Sequence, residues 1–215
     1  MTTSGTDHQI DRRGRRREAK RAAILGEAWA LAHRDGLAAI SLRDLAARVD
    51  LRQPSLYAYF DSKVGLYDLM FADGNRQLLD LVRSLPPDHD PRSALVQLTE
   101  ALVRFSTADV VRHQLLFQRT IPGFEPSPAS YALALEFYET ARARLAAAGI
   151  ADQQDVDLFS ALVSGMAHQQ VANDPGGERW ARLAERAVDM FLADVDRRRP
   201  VAAGPARKAR KGGPR

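Results

Sequence analysis

Apolar positions along most of the chain recur every three or four residues, and no stretch alternates apolar with polar long enough to mark a strand. Residues 16–34 place Ile24, Ala28, Leu31 and Ala32 on one face, and Asp35-Gly36 ends that helix. Ser41 is placed to cap a short helix over 42–49, with Asp44 three residues on. Asp50-Leu51-Arg52 makes a tight connection, and Gln53-Pro54 opens another short helix reaching about Tyr59. Asp61-Ser62 starts a longer one, from Lys63 to about Leu85, stopped by Pro86-Pro87. The same signals predict helices from Asp90-Pro91 to about Thr107, from Asp109 to about Thr120, from Ser127-Pro128 to Gly149 and from Asp152 to Asn173. The last helix, over 178–198, carries Trp180, Leu183, Ala184, Ala187, Val188, Phe191, Leu192 and Val195 on a single stripe. About nine helices and an all-α fold are expected.

The arrangement over 41–60, SLRDLAARVDLRQPSLYAYF, is a short helix, a tight turn and a second short helix, which is helix-turn-helix spacing. Leu42, Leu45, Ala46 and Val49 form the inner face of the first helix, and Leu51 and Leu56 plug the angle. Gln53, Pro54, Ser55, Tyr57 and Tyr59 are left to face outward, with no acid among them. Gln53 has the amide that pairs with an adenine edge, Ser55 and the Pro54 methylenes suit base edges or a thymine methyl, and the tyrosine hydroxyls suit phosphate oxygens. Arg43 and Lys63 each sit in a helix's first turn, where a cation opposes the helix dipole. A phosphate at that N-terminus would give Lys63 a reason to be there; the alternative is an ordinary surface lysine.

Charge sharpens this picture. The 215 residues carry a formal net charge of only +4. Residues 1–65 hold 12 Lys/Arg against 8 Asp/Glu, residues 66–196 hold 11 against 19, and residues 197–215 hold 8 against none. A basic head and tail flank an acidic body, which favours a polyanionic partner for one of the ends. The expected organisation is a disordered basic arm (1–15), a three-helix helix-turn-helix domain (16–63), a larger helical ligand-binding and dimerisation domain (64–198) and a disordered basic tail (199–215). The run Arg12-Arg13-Gly14-Arg15-Arg16-Arg17 would then lie along phosphates or in a minor groove.

The run from Ile24 to Leu69 resembles the DNA-binding domain of the TetR (tetracycline repressor) family. The resemblance is carried by the DG-L-A-A-I-S-L-R segment, by the RQPSLYAYF core and by the following S-K-V-G-L. It lies within the first third of the chain. It implies an all-helical homodimeric transcription regulator, usually a repressor, released from a palindromic operator by a small molecule. On the matching positions, Arg43 and Gln53 become the best base readers, Pro54 and Ser55 further base contacts, and Ser41, Tyr57, Tyr59 and Lys63 mostly phosphate contacts. Three positions depart from the family's common pattern. Asp50 stands where Gly is frequent, Arg52 stands where small residues are frequent and adds a potential contact, and Tyr59 replaces the commoner His.

The body offers weaker signals. Two-fold dimers reading half-sites are the common solution for such domains, and the resemblance points to the last two helices, with Phe159, Val163, Trp180, Leu183, Ala187 and Phe191 as interface residues. Ser160, Ala161, Ser164, Gly165 and Ala167 are small enough to let helices cross closely. An effector pocket would lie between the helices of 91–173, lined by Phe105, His113, Phe117, Tyr131, Phe137, Tyr138 and Met166, with Phe124, Arg119 and His168 as further candidates. The Pro122-to-Pro128 loop would border its entrance.

No nucleotide-binding loop, hydrolase elbow or zinc-protease motif is present, the five His have no metal-ligand spacing, and there is no Cys to act as nucleophile or ligand. No cofactor, metal or catalytic activity is expected. No segment nears the ~18 consecutive apolar residues of a membrane span, and the start lacks a secretory apolar core, so a cytoplasmic protein is expected. The rival readings are a protein-interaction module whose helix-turn-helix no longer reads DNA and, further off, a helical enzyme.

Overall fold

The computed structural model describes residues 4–198, with side chains from residue 14 onward. Nine α-helices carry the described chain: α1 (Ser4–Asp35), α2 (Leu42–Arg48), α3 (Gln53–Leu56), α4 (Lys63–Ser84), α5 (Pro91–Ala108), α6 (Val110–Phe117), α7 (Pro128–Ala147), α8 (Gln153–Asn173) and α9 (Ala184–Arg198). Single 3-10 turns precede α2 (Leu37–Ala39) and α9 (Ala181–Leu183). No strand occurs among the described residues.

The helix starts follow from side-chain caps. Ser41, Ser62, Asp90, Asp109, Ser127 and Asp152 each accept a backbone N–H in the first turn of the helix they open, satisfying donors that have no partner inside the helix. Gly36, with φ of 85°, ends α1. Asp50 has φ of 54°, the one non-glycine in the left-handed region among the described residues. Asp tolerates that conformation better than most side chains, so the turn forms without glycine.

Two ends differ from the sequence expectation. The first helix starts at Ser4 rather than Arg16, so helix replaces the expected disordered arm over 4–15; no proline interrupts the run, and arginine is a good helix former. The basic tail, 199–215, lies outside the described residues. The last helix begins at Ala184 rather than 178. The Gln170 side chain, almost wholly buried, accepts from the amides of Trp180 and Ala181, and Asp174 accepts from Arg179 N. Those side-chain acceptors hold the Gly-rich segment in a compact turn instead of a helix.

Two hydrophobic clusters divide the interior. The head cluster joins Ile24, Ala28 and Leu31 of α1 to Leu45, Ala46, Leu56, Leu66 and Met70, with Leu115 of α6 reaching in from the body. The body cluster joins Leu95, Leu98, Leu145, Val156, Phe159, Val188 and Phe191. Helix α4 contributes to both, Leu66, Tyr67 and Met70 to the first and Val82 to the second, and packs along α7. Gly74 lets α6 approach, since a side-chain carbon there would meet Leu116 at 3.1–3.3 Å.

Candidate nucleic-acid interface and effector cavity

Helices α2 and α3 meet across the Asp50 turn with Leu45, Ala46, Val49 and Leu56 buried. The opposite face is open: Arg43, Arg52, Gln53, Pro54, Ser55 and Tyr57 are exposed, and none of their side chains is hydrogen-bonded among the described residues. Tyr57 is half exposed. No acidic side chain lies within 51–60. This surface is free to contact a groove, as its residue types suggested.

Three expected contacts stand differently. Tyr59 is half-buried against the head cluster rather than facing outward. Ser41 spends its hydroxyl as the cap of α2, accepting from Asp44 N at 3.3 Å. Lys63 donates from Nζ to Ala38 O at 2.7 Å, tying the start of α4 to the 3-10 turn. That bond supplies the local reason for a cation in the first turn, and it leaves two ammonium hydrogens for other acceptors.

Two basic residues of α1 brace the reading unit. Arg17 donates to Ala58 O at 3.1 Å, beyond the end of α3, and Lys20 donates to Val49 O at 2.9 Å, at the end of α2. Arg48 pairs with Glu27 at 3.0 Å. Cations at helix C-termini meet unpaired carbonyls and the negative end of the dipole. Sequence reading turned Arg17, with the basic run 12–17, toward phosphates; the structure makes it a strut. No local pattern could have shown this, because the partners are 41 and 29 residues away.

In the body, a cavity of about 530 Å³ lies among α4, α5, α6, α7 and α8. Of the expected lining, His113, Phe117, Phe137 and Tyr138 are present, as is His168. Phe105 is not: its ring lies under the Arg112 guanidinium at 3.7 Å. Tyr131, Phe124 and Arg119 line a separate depression under the 118–128 loop, which shares Phe117 with the cavity. Met166 packs in the body cluster and faces the outer side of α8. Phe159 and Val163, expected at the dimer interface, instead form part of the cavity floor, and Phe159 meets Phe191 at 5.4 Å between ring centres. Sequence reasoning missed Leu98, Leu145 and Ser164 as lining residues.

The outer faces of α8 and α9 form a shallow apolar groove containing Leu158, Ala161, Gly165, Trp180, Leu183, Ala187 and Met190. Met190 is 65% exposed and Leu158 48%. The Trp180 indole N–H is buried without a hydrogen-bond partner.

Head and body are joined by polar contacts. Trp29 of α1 bonds Asp73 of α4, Gln77 bonds the same carboxylate, and Arg112 of α6 donates to Gln77 Oε1 at 2.6 Å. His33 of α1 lies 2.9 Å from the Asp109 carboxylate, the same group that caps α6. Burial pushes the Arg112 guanidinium below its usual pKa.

A helix-turn-helix head with an exposed, acid-free second helix, set on a larger helical body with an internal cavity, is the fold that TetR-type regulators share. Residues 24–70 match the family described as bacterial regulatory proteins, tetR family, so the chain carries the DNA-binding head of that family. None of the curated proteins matches the chain. Among solved structures it is similar to the TetR-family regulator PfmR from Thermus thermophilus, with 26% identity, TM-score 0.58, and 79% of this chain and 97% of that one covered. A tetR-family regulator from Streptomyces coelicolor gives 19% identity and TM-score 0.64 over 82% and 80% of the two chains. A TetR variant from Acinetobacter baumannii, in complex with minocycline, gives 21% identity and TM-score 0.56 over 82% and 96%.

Proposed function

We propose that the chain is a ligand-responsive regulator that binds a palindromic operator as a homodimer, most simply as a repressor, and leaves it when a small molecule occupies the body cavity. The carrying observation is the exposed Gln53-Pro54-Ser55-Tyr57 surface, braced from behind by Arg17 and Lys20. Gln53 and Arg43 are assigned base edges, with Pro54, Ser55 and Arg52 beside them. Tyr57 and the free hydrogens of Lys63 are assigned phosphates.

The groove on α8 and α9 supports the dimer. Its exposed leucines and methionine lie beside Gly165, where a side-chain carbon would meet nothing within 4 Å. A second copy of the two helices would bury that surface in a four-helix bundle. The interface residues from the sequence are therefore narrowed to Trp180, Leu183 and Ala187, with Phe191 beneath them. No catalytic step, cofactor or metal is part of this reading, and its setting is the cytoplasm. No described helix is long and apolar enough to cross a membrane.

Release follows from a population shift: an effector that binds one body conformation better favours it. Helix α6 faces both ways, with His113 and Phe117 on the cavity and Arg112 tied to α4. A shift of α6 and α4 would change the spacing of two recognition helices that must meet successive major grooves about 34 Å apart. Fluorescence anisotropy on a candidate operator tests the proposal. Two protomers per palindrome and a steep loss of affinity with salt are expected; one protomer per site, or salt-independent binding, would overturn it.

A further inference from the structure

The cavity carries formal charge only at its rim, where Arg142 and Asp157 are exposed and opposite in sign. Its floor is apolar, built from residues such as Leu98, Leu145, Phe159 and Val163. Ser106, Gln118, Ser160, Ser164 and His168 add polar groups to the lining, and His113 differs from them in having a buried ring nitrogen without a partner. His113 is 4% exposed, and its Nδ1 is buried with no hydrogen-bond partner. By contrast, His168 Nδ1 lies 3.2 Å from Gln118 Nε2 and is already engaged. Burial first, and His168 second, hold the His113 pKa below its ordinary value, so the ring is neutral near pH 7.

We propose that the cavity takes a neutral amphiphile, an apolar body with one hydrogen-bonding oxygen, and that His113 receives that oxygen. The inference rests on reading the cavity as the effector site. A buried polar group without a partner is costly, and a ligand oxygen relieves that cost once the ring turns its Nδ1, which is closed to water, toward the ligand. A charged head would reach a floor without a counter-ion and would lose its hydration uncompensated. The lining of α8 from Asp157 to His168 spans twelve residues, a rise of about 16 Å. That length suits an extended chain better than a compact ring.

The test titrates the full chain with decanol, decanoate and decylammonium at pH 7.5 by calorimetry. Decanol is expected to bind at least tenfold more tightly than either charged compound. His113→Phe, which keeps a ring beside Phe117 (5.3 Å between ring centres in the native chain), is expected to lower decanol affinity at least tenfold. His113→Gln, which keeps a hydrogen-bonding group, is expected to retain most of it. Equal or tighter binding of a charged compound, no binding of any of the three, or His113→Phe binding like the native chain would overturn the inference. The head-group comparison on the native chain decides the matter even where His113→Phe does not fold. Operator binding by the same samples without ligand is read separately; its absence counts against the regulator reading, not against the ligand class.

Discussion

The Trp29 indole donates to Oδ2 of Asp73 at 3.0 Å, joining α1 of the DNA-reading head to α4, the helix that runs on into the body. Trp29→Phe removes that donor while keeping an aromatic ring. A loss of about 0.5–1.5 kcal/mol is expected, the usual contribution of a hydrogen bond. It should appear as a lower denaturant midpoint at unchanged slope. Asp73→Ala on top of Trp29→Phe should cost less than the two single losses added, because the residues share one interaction. Full additivity would contradict the coupling.

Gln53 and Tyr57 are assigned different tasks on one exposed surface. Gln53→Ala is expected to relax base preference, with a loss of ~1–3 kcal/mol on the operator and little change on unrelated DNA. Tyr57→Phe is expected to weaken operator and unrelated DNA alike. Competition binding against single-base operator variants separates the two. Uniform loss in both variants would remove Gln53 from base reading.

The helix starts were legible because a cap is local chemistry: Ser41, Ser62, Asp90, Asp109, Ser127 and Asp152 lie within three residues of the amides they accept. The reading helix was legible for the same reason, through the Asp50 turn and the Pro54 start. Facing in the body was not. Helix α8 has apolar residues on both sides, Val156, Phe159 and Val163 inward and Leu158, Ala161 and Leu162 toward the groove, so the resemblance, which pointed to the helix, did not separate Phe159 and Val163 from the residues of the groove. Phe105 was misplaced because a cation 7 positions further on, Arg112, bonds its carbonyl and covers its ring. Arg17 and Lys20 depend on contacts that only the folded chain brings together.

The neutral His113 makes stability depend on pH in a definite direction. Its pKa is lower in the folded chain than in the unfolded one, so the unfolded state binds more protons over the interval between the two values. The contribution is complete above the ordinary histidine value of 6.5 and is lost as pH falls below it toward the folded pKa. Thermal melts from pH 8 to pH 5 should show a fall in midpoint that His113→Gln makes shallower. An identical slope in the two proteins would remove His113 as the source.

Leu158, Leu183 and Met190 are the exposed large apolar residues of the proposed interface. Leu158→Asp places a charge in each half of a surface meant to be buried against its copy. Light scattering should show monomer where the native chain is dimer, and operator affinity should fall by about two orders of magnitude or more, since one half-site contact is lost. A native chain that is already monomeric would remove the dimer, and a variant that stays dimeric would place the interface elsewhere.

Whether α3 reads DNA in a two-fold pair is decided by selecting bound fragments from a random DNA pool with the full chain. Enrichment of one palindrome is expected, with half-site centres about one helical turn, or a multiple of it, apart, together with loss of base preference at defined positions in both half-sites with Gln53→Ala. Recovery of DNA with no shared sequence, or of a motif without two-fold symmetry, would contradict it.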